Sequence, residues 1–434
     1  MIYYKNKLQQ QRKHITVFEH ESLRIDRGEK RISEIQLKSL QAYFGESGVP
    51  YFSLIHNGIR FNEFVGVIQL GELVIEVLPK ADASFAGDND KKQWRDILID
   101  MLFAVGVFDI HTPSNSSLKL KSNSILDLYF KIFIQEIESL LHRGLIKKYR
   151  KKNGNVIALK GSLHFSKHIQ QNLTHQERFF VKHTTYDVEH QLHFIIYKTI
   201  CLLRQINTNV NLHSRIGALM LHFPEMPDIK VTEATFEKIV FSRKTESYKK
   251  AIEISKLLLL QYHPDVSRGR NNVLALMFDM NKLWEQFVYV SLRKHKNENT
   301  KITGQTSKLF WKSHSGYRVK MRPDIVVNKD GPDCVVLDTK WKNLNGYNPS
   351  PDDLRQMYVY HEYYGANKVA LIYPGKETSN TNGNYIDPMT RLETKKECSV
   401  ISFIVEPKIK HWQKKIYTEL ESWWSLQKQN TLKK

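Results

Sequence analysis

Apolar residues along this chain recur on two periods, and each change of period marks an element. Residues 15–25 alternate and predict a strand; a helix is predicted from Ser33, a natural N-cap, to Phe44, with Gly45 as its stop. Alternation returns over 61–79 as a hairpin turning near 69–72, closed by Pro79. Residues 81–92 are polar and read as a linker, 94–108 as an apolar helix, and the Ser/Asn-rich 111–124 as a connection. Leu128, Ile132, Ile137, Leu140 and Leu141 then keep helical spacing across 125–143, where Gly144 ends the run. Asn153-Gly154 between strand-like runs predicts a hairpin at 147–155, and helical patterns continue at 192–206 and 247–260. A long helix is expected over 273–294, with Leu276, Met280, Leu283, Phe287 and Val290 on its apolar stripe. A strand over 302–311 and a hairpin over 318–342 with a turn at 329–332 come next. The remaining expectations are a helix at 351–364, a strand at 368–373, an exposed loop at 379–384, a strand at 399–405 and a closing helix over 407–427. The pattern therefore predicts an α+β chain with a β-rich part at 1–110, an α-rich region at 125–270 and a mixed α/β part at 271–434.

At 434 residues, two or three domains are expected. Lys and Arg number 65 against 45 Asp and Glu, a net charge of +20, which favours a polyanionic partner, nucleic acid before an anionic membrane surface. Cys201, Cys334 and Cys398 are scattered, so neither a disulfide framework nor a paired-cysteine zinc site is expected. Residues 1–15 lack an apolar core and no apolar run is long enough to span a bilayer, so the expectation is a cytoplasmic protein without membrane association.

Candidate chemistry concentrates in the 318–342 hairpin. Asp338 and Lys340, two apart on a strand, share a face, and Asp324 opens the preceding strand after Pro323. Two carboxylates beside an ammonium on a sheet suit metal-assisted phosphodiester cleavage. The carboxylates would hold Mg²⁺, or Mn²⁺, at the phosphate, and the lysine would orient water or neutralise developing charge.

Pro323-Asp324 with Asp338-Thr339-Lys340 resembles the PD-(D/E)xK nuclease signature, whose core is a small mixed sheet flanked by helices. Trp284-Glu285 before it and the stretch from Asp353 through Gln356 and Tyr358 to Tyr360 after it are similar to the McrC family, the nuclease subunit of the 5-methylcytosine-dependent restriction system McrBC. The 61–80 pattern resembles that family's N-terminal domain. The resemblance implies an endonuclease acting on double-stranded, modified DNA together with an AAA+ GTPase resembling McrB, on which the N-terminal domain docks. It also implies that Glu285 assists the metal and that Gln356 contacts the backbone or orients Lys340; Tyr360, which shares a helix face with Gln356, is a further candidate DNA contact.

Lys147, Lys148, Arg150, Lys151 and Lys152, with Tyr149, form the most basic patch and are candidates for phosphate contacts or for an acidic protein surface. His164, His168, His175, His183, His190 and His193 lack the accompanying pattern of a zinc site and read better as exposed or capping groups. No Walker or Rossmann fingerprint occurs, so the chain itself is expected to bind no nucleotide triphosphate. Two rival readings stay open: a non-catalytic activator of a partner NTPase, and a stand-alone nuclease.

Overall fold

The computed structural model describes residues 14–26, 28, 30–45, 48–71, 73–80, 88–106, 125–207, 209–263, 273–342, 344 and 348–431. Its contacts divide these between two units. The smaller holds the described residues of Ile68–Leu73 and Leu120–Leu276; the larger holds those of Lys13–Val67, Val74–Lys119 and Met277–Lys434. The 111–124 connection expected from the sequence lies outside the described residues.

The larger unit begins with β1 (His14–Phe18) and β2 (Ser22–Arg24), then α1 (Glu34–Phe44). Ser33 opens this helix with a reciprocal capping box to Gln36, and Gly45 (φ +59°) ends it in the left-handed region that a side chain resists. Next, β3 (Phe52–Ile55) and β4 (Gly58–Phe61) complete a sheet ordered β2-β4-β3. β5 (Phe64–Leu70) and β6 (Leu73–Leu78) form the expected 61–79 hairpin, and β1 runs parallel to β6 from His14↔Val74 to Phe18↔Leu78. The helix expected at 94–108 starts earlier, as α2 (Asp88–Ala104), so residues 88–92 are helical rather than linker. There Arg95 grips the fully buried Glu76 through Nε and Nη2.

The smaller unit is α-rich. It holds α3 (Ile125–Arg143), the small sheet of β7 (Lys148–Val156), β8 (Ser162–Leu163) and β9 (Phe179–Asp187), and α4 (Phe165–Asn172). α5 (Gln191–Ile206), α6 (Val210–His222), α7 (Glu233–Glu237), α8 (Lys249–Leu260) and β10 (Tyr262–His263) follow. The hairpin expected at Asn153-Gly154 is not formed. Both residues pair inside a continuous strand, opposite Lys182 and Val181 of β9. A two-residue type I′ turn needs positive φ at both positions, and neither residue adopts it. Among the histidines, His164 caps α4, while His193 is buried and bonded to Val188 O (2.5 Å) and Tyr248 OH (3.1 Å). Burial, with His190 beside it, pushes the His193 pKa down to about 4, the signature of a neutral core histidine.

The helix expected at 273–294 is two elements: β11 (Val273–Asp279) and α9 (Met280–His295). Asp279 accepts hydrogen bonds from Asn281 N (3.0 Å) and Lys282 N (3.2 Å), a cap that starts the helix there. The strand expected at 302–311 is likewise split, into β12 (Ile302–Gly304) and β13 (Lys308–Lys312), around Gln305 at φ +50°. Among the described residues, β13 pairs only with β14 (Arg318–Met321).

The main sheet orders β12-β15-β16-β17-β19-β18, with β15 (Ile325–Val327), β16 (Val335–Thr339), β17 (Lys368–Gly375), β18 (Ser379–Ile386) and β19 (Glu393–Ile404). β15 and β16 are antiparallel; β16, β17 and β19 are parallel, so the sheet is mixed. The loop expected at 379–384 is the exposed edge strand β18, paired antiparallel to β19. Alternation sorts the faces: Val336, Val369, Leu371 and Tyr373 pack with Met357, Tyr360 and Tyr364 of α10 (Pro351–Tyr364). α11 (Ile409–Thr431) contributes Trp412, which stacks on Trp284 of α9 at 5.4 Å, and a carbonyl, Trp423 O, that Lys368 Nζ reaches at 2.8 Å.

N-terminal residues of the larger unit also meet this sheet. Trp341 Nε1 donates to Glu19 Oε1 (2.8 Å), and Met280 N donates to Glu63 O (3.0 Å).

Candidate active site

β16 is buried along its whole length, so its two polar members carry a desolvation cost unless they are paired. Asp338 points toward α10, among the residues of that face, and is only 2% exposed. Its Oδ1 accepts from Gln356 Nε2 at 3.4 Å. Its Oδ2 lies 2.8 Å from Lys340 Nζ, an ion pair, yet accepts no well-aligned hydrogen bond. Thr339, alternating to the other side, donates its backbone N–H (2.7 Å) and hydroxyl (2.8 Å) to Asp324 Oδ2. The hairpin register that sets Ile325 opposite Leu337 thus brings the two carboxylates to one end of the β15–β16 pair.

The electrostatics match the crowding. Burial first, and Asp324 second, push the Asp338 pKa up to about 7. Burial likewise raises Asp324, with Thr339, Lys340 and Arg322 opposing it. Burial alone would lower Lys340, but the Asp338 carboxylate outweighs it and the ammonium is held above its ordinary range. Two neighbouring carboxylates, one buried and one half-buried, cannot both ionise cheaply, so the pair favours a proton or another cation between them.

α10 supports this arrangement with one stripe. Asp353, Gln356 and Tyr360 follow at three- and four-residue steps, so they share a helix face. Gln356 Nε2 lies 2.7 Å from Tyr360 OH. Asp353 sits 3.9 Å from Lys340 and 2.7 Å from Lys342, which places a second acid beside the motif lysine. Although burial would raise its pKa, Lys342 and Ser350 hold Asp353 below the usual carboxylate range. Spacing along the sequence assigns neither Asp353 nor Thr339 a role. The Ser350-x-x-Asp353 cap, which fixes Asp353 in the first helical turn, was the signal available for it.

The other expected site residues divide. Glu285 on α9 is buried and receives Gln305 Nε2 at 2.7 Å; burial and the Asp324 charge raise its pKa. Tyr360, expected as a DNA contact, is 3% exposed and supports Gln356 instead. Lys147, Lys148, Arg150, Lys151 and Lys152 belong to the smaller unit, where Arg150 and Lys152 are paired with Asp187 and Glu189.

Among the described residues no three His, Cys, Asp or Glu side chains gather into a complete metal cage. The residues present fit a different kind of site. Asp338 Oδ2 is a buried carboxylate oxygen without a well-aligned donor, Asp324 lies beside it, and all candidate ligands are hard oxygens. That donor set suits Mg²⁺ or Mn²⁺, and Mg²⁺ is commonly bound through one or two carboxylates while keeping several waters.

The chain matches, over residues 59–374, the family described as McrBC 5-methylcytosine restriction system component. No curated protein matches it by sequence. Among solved structures it resembles a chain of the refined half-complex from the tetradecameric assembly of Thermococcus gammatolerans McrB AAA+ hexamers with bound McrC. The TM-score is 0.71 at 20% identity, covering 94% of this chain and 100% of that one. A second match is to the cryo-EM structure of the Thermococcus gammatolerans McrBC complex, with a TM-score of 0.49 at 20% identity, covering 65% of this chain and 87% of that one.

Proposed function

Since this chain belongs to the McrBC 5-methylcytosine restriction system family, we propose that it is the McrC-type subunit of such a system. In this reading it is a metal-dependent endonuclease that cleaves modified double-stranded DNA and stimulates a McrB-like AAA+ GTPase. The observation that carries the nuclease part is the pair of half-buried Asp324 and buried Asp338, with Lys340 at 2.8 Å from Asp338, on a mixed sheet between helices. The partner rests on family membership and on the McrB hexamers of the similar assembly.

Asp324 and Asp338 would hold Mg²⁺, with Glu285 next to them. When bound, the ion supplies positive charge at the scissile phosphate and a more acidic water. The protein's own groups do the positioning. Thr339 fixes Asp324 through two hydrogen bonds, and Gln356, lying beside Tyr360 OH, orients Asp338. Lys340, shared between Asp338 and Asp353, keeps an ammonium where negative charge develops on the phosphate. The sequence holds no G-x-x-x-x-G-K-[ST] signature, and this reading assigns nucleotide hydrolysis to the partner.

The test is cleavage of methylated and unmethylated plasmid by the purified chain with Mg²⁺, with and without the GTPase partner and GTP. The expected result is cutting of methylated DNA only when partner and GTP are present. Cutting by the chain alone would replace this reading with a stand-alone nuclease. Stimulated GTPase with no cutting under any condition would replace it with a non-catalytic activator.

A further inference from the structure

The β13–β14 hairpin lies outside the main sheet and takes no part in the chemistry above. From residue 307 to 323 the sequence has five Lys or Arg, one His and no acid. Cross-strand partners point to the same side, so the register sorts these residues. Lys312 faces Arg318, and Leu309 faces Lys320. Arg318 and Lys320, two apart, share a face, which therefore gathers three cations. Trp311↔Val319 and Lys308↔Met321 make the opposite face. Met321 on that second face packs onto the core under α10, which directs the cationic face away from it.

The base of the hairpin is anchored to the helix that supports the site. Lys308 Nζ donates to Tyr363 O (3.1 Å), Phe310 meets Tyr363 edge-on at 5.2 Å, and Tyr364 OH donates to Met321 O (3.4 Å). β14 ends three residues before Asp324, a span of at most about 11 Å, or roughly three base-pair steps of duplex. Lys312, Arg318 and Lys320 are exposed and make no ion pair among the described residues. Lys312 directly opposite Arg318 is a like-charge pair, an arrangement unfavourable in an isolated hairpin and relieved by an anion lying across it. The basic strand β7 differs on this point, because Asp187 and Glu189 already neutralise Arg150 and Lys152.

We propose that the β13–β14 hairpin grips the phosphodiester backbone of duplex DNA beside the cleavage site, with Lys312, Arg318 and Lys320 each neutralising a phosphate. This deepens the nuclease reading and rests on it for the identity of the polyanion.

The test is fluorescence anisotropy of a labelled duplex with the full chain across a KCl series, without divalent ion. The variants are Lys312→Ala, Arg318→Ala and Lys320→Ala, singly and together. Each single change is expected to reduce the slope of log K against log salt by about 0.9, and the triple by about 2.7, with affinity down at least tenfold. Lys312→Arg with Lys320→Arg should keep the wild-type slope, separating charge from folding. An unchanged slope in a triple variant with wild-type thermal melting would overturn the proposal. So would an unchanged slope accompanied by altered sedimentation, which would make the hairpin a protein contact. The two readings fail separately. A wild-type chain that binds with the hairpin-dependent slope but never cuts loses only the nuclease reading; one that cuts while the triple variant binds normally loses only the hairpin.

Discussion

Glu76 on β6 and Asp338 on β16 sit on strands of the same unit, 0% and 2% exposed. Their surroundings differ sharply. Glu76 meets Arg95 with both carboxylate oxygens engaged at 2.8 Å by Nε, the forked geometry that best repays burial of a charge. Asp338 shares its one counter-ion with Asp353, leaves Oδ2 without an aligned donor and has Asp324 for a neighbour. The same buried carboxylate on the same kind of strand is structural where its pairing is complete. Under the proposed function, it becomes a site where the pairing is left open for a cation and a substrate.

Exchanging charge for amide at each position sharpens that contrast. Asp338→Asn should lower plasmid cleavage by the assembled complex at least a thousandfold, about 4 kcal/mol of transition-state stabilisation. Partner GTPase stimulation should be retained, and metal-free stability in urea unchanged or improved, since a like charge has been removed. Retained cleavage would strip Asp338 of its role. Glu76→Gln should do the reverse: urea unfolding reports a loss of about 3 kcal/mol from the Arg95 left behind, while cleavage per folded molecule stays at wild type. Equal stabilities for the two variants would erase the distinction.

A third buried acid gives a smaller, pH-dependent effect. Burial pushes the Glu19 pKa up to about 7, against the opposing hydrogen bonds from Lys80 N and Trp341, with Glu63 raising it further and the Lys80 charge lowering it. The folded state therefore binds this proton more tightly than the unfolded chain does. Its contribution is fully present below about pH 4.5 and is lost as pH rises through about 7. The stability of Glu19→Gln minus that of wild type should accordingly grow between pH 5 and pH 8, by at most roughly 3 kcal/mol. A flat difference in urea titrations would show Glu19 to be ionised throughout.

Much of this was legible in the sequence where one period dominates. The helices at 125–143 and 351–364 occupy the residues expected, and Asp338 and Lys340 meet on one strand face because side chains alternate. Legibility fails where tertiary partners decide. Val273–Asp279 carries apolar residues that also continue a helical stripe, and its assignment turns on Asp279 capping the helix after it. Asn153-Gly154 has turn chemistry but a partner strand for both residues, and 379–384 is polar because it is an exposed edge rather than a loop. Asp353 is illegible in the sequence because its meaning comes from Lys340, thirteen residues upstream on a different element.

The bond between Trp341 and Glu19 has a practical consequence. Trp341 follows Lys340 directly, and its indole is held by a carboxylate that lies 322 residues earlier in the chain. A fragment starting at Met277 would contain every candidate ligand and still lack a support of the strand end that carries the lysine. Transplanting this candidate centre to another scaffold would therefore mean moving two distant stretches of sequence together, with the Glu19 turn as much a part of the graft as the β15–β16 hairpin.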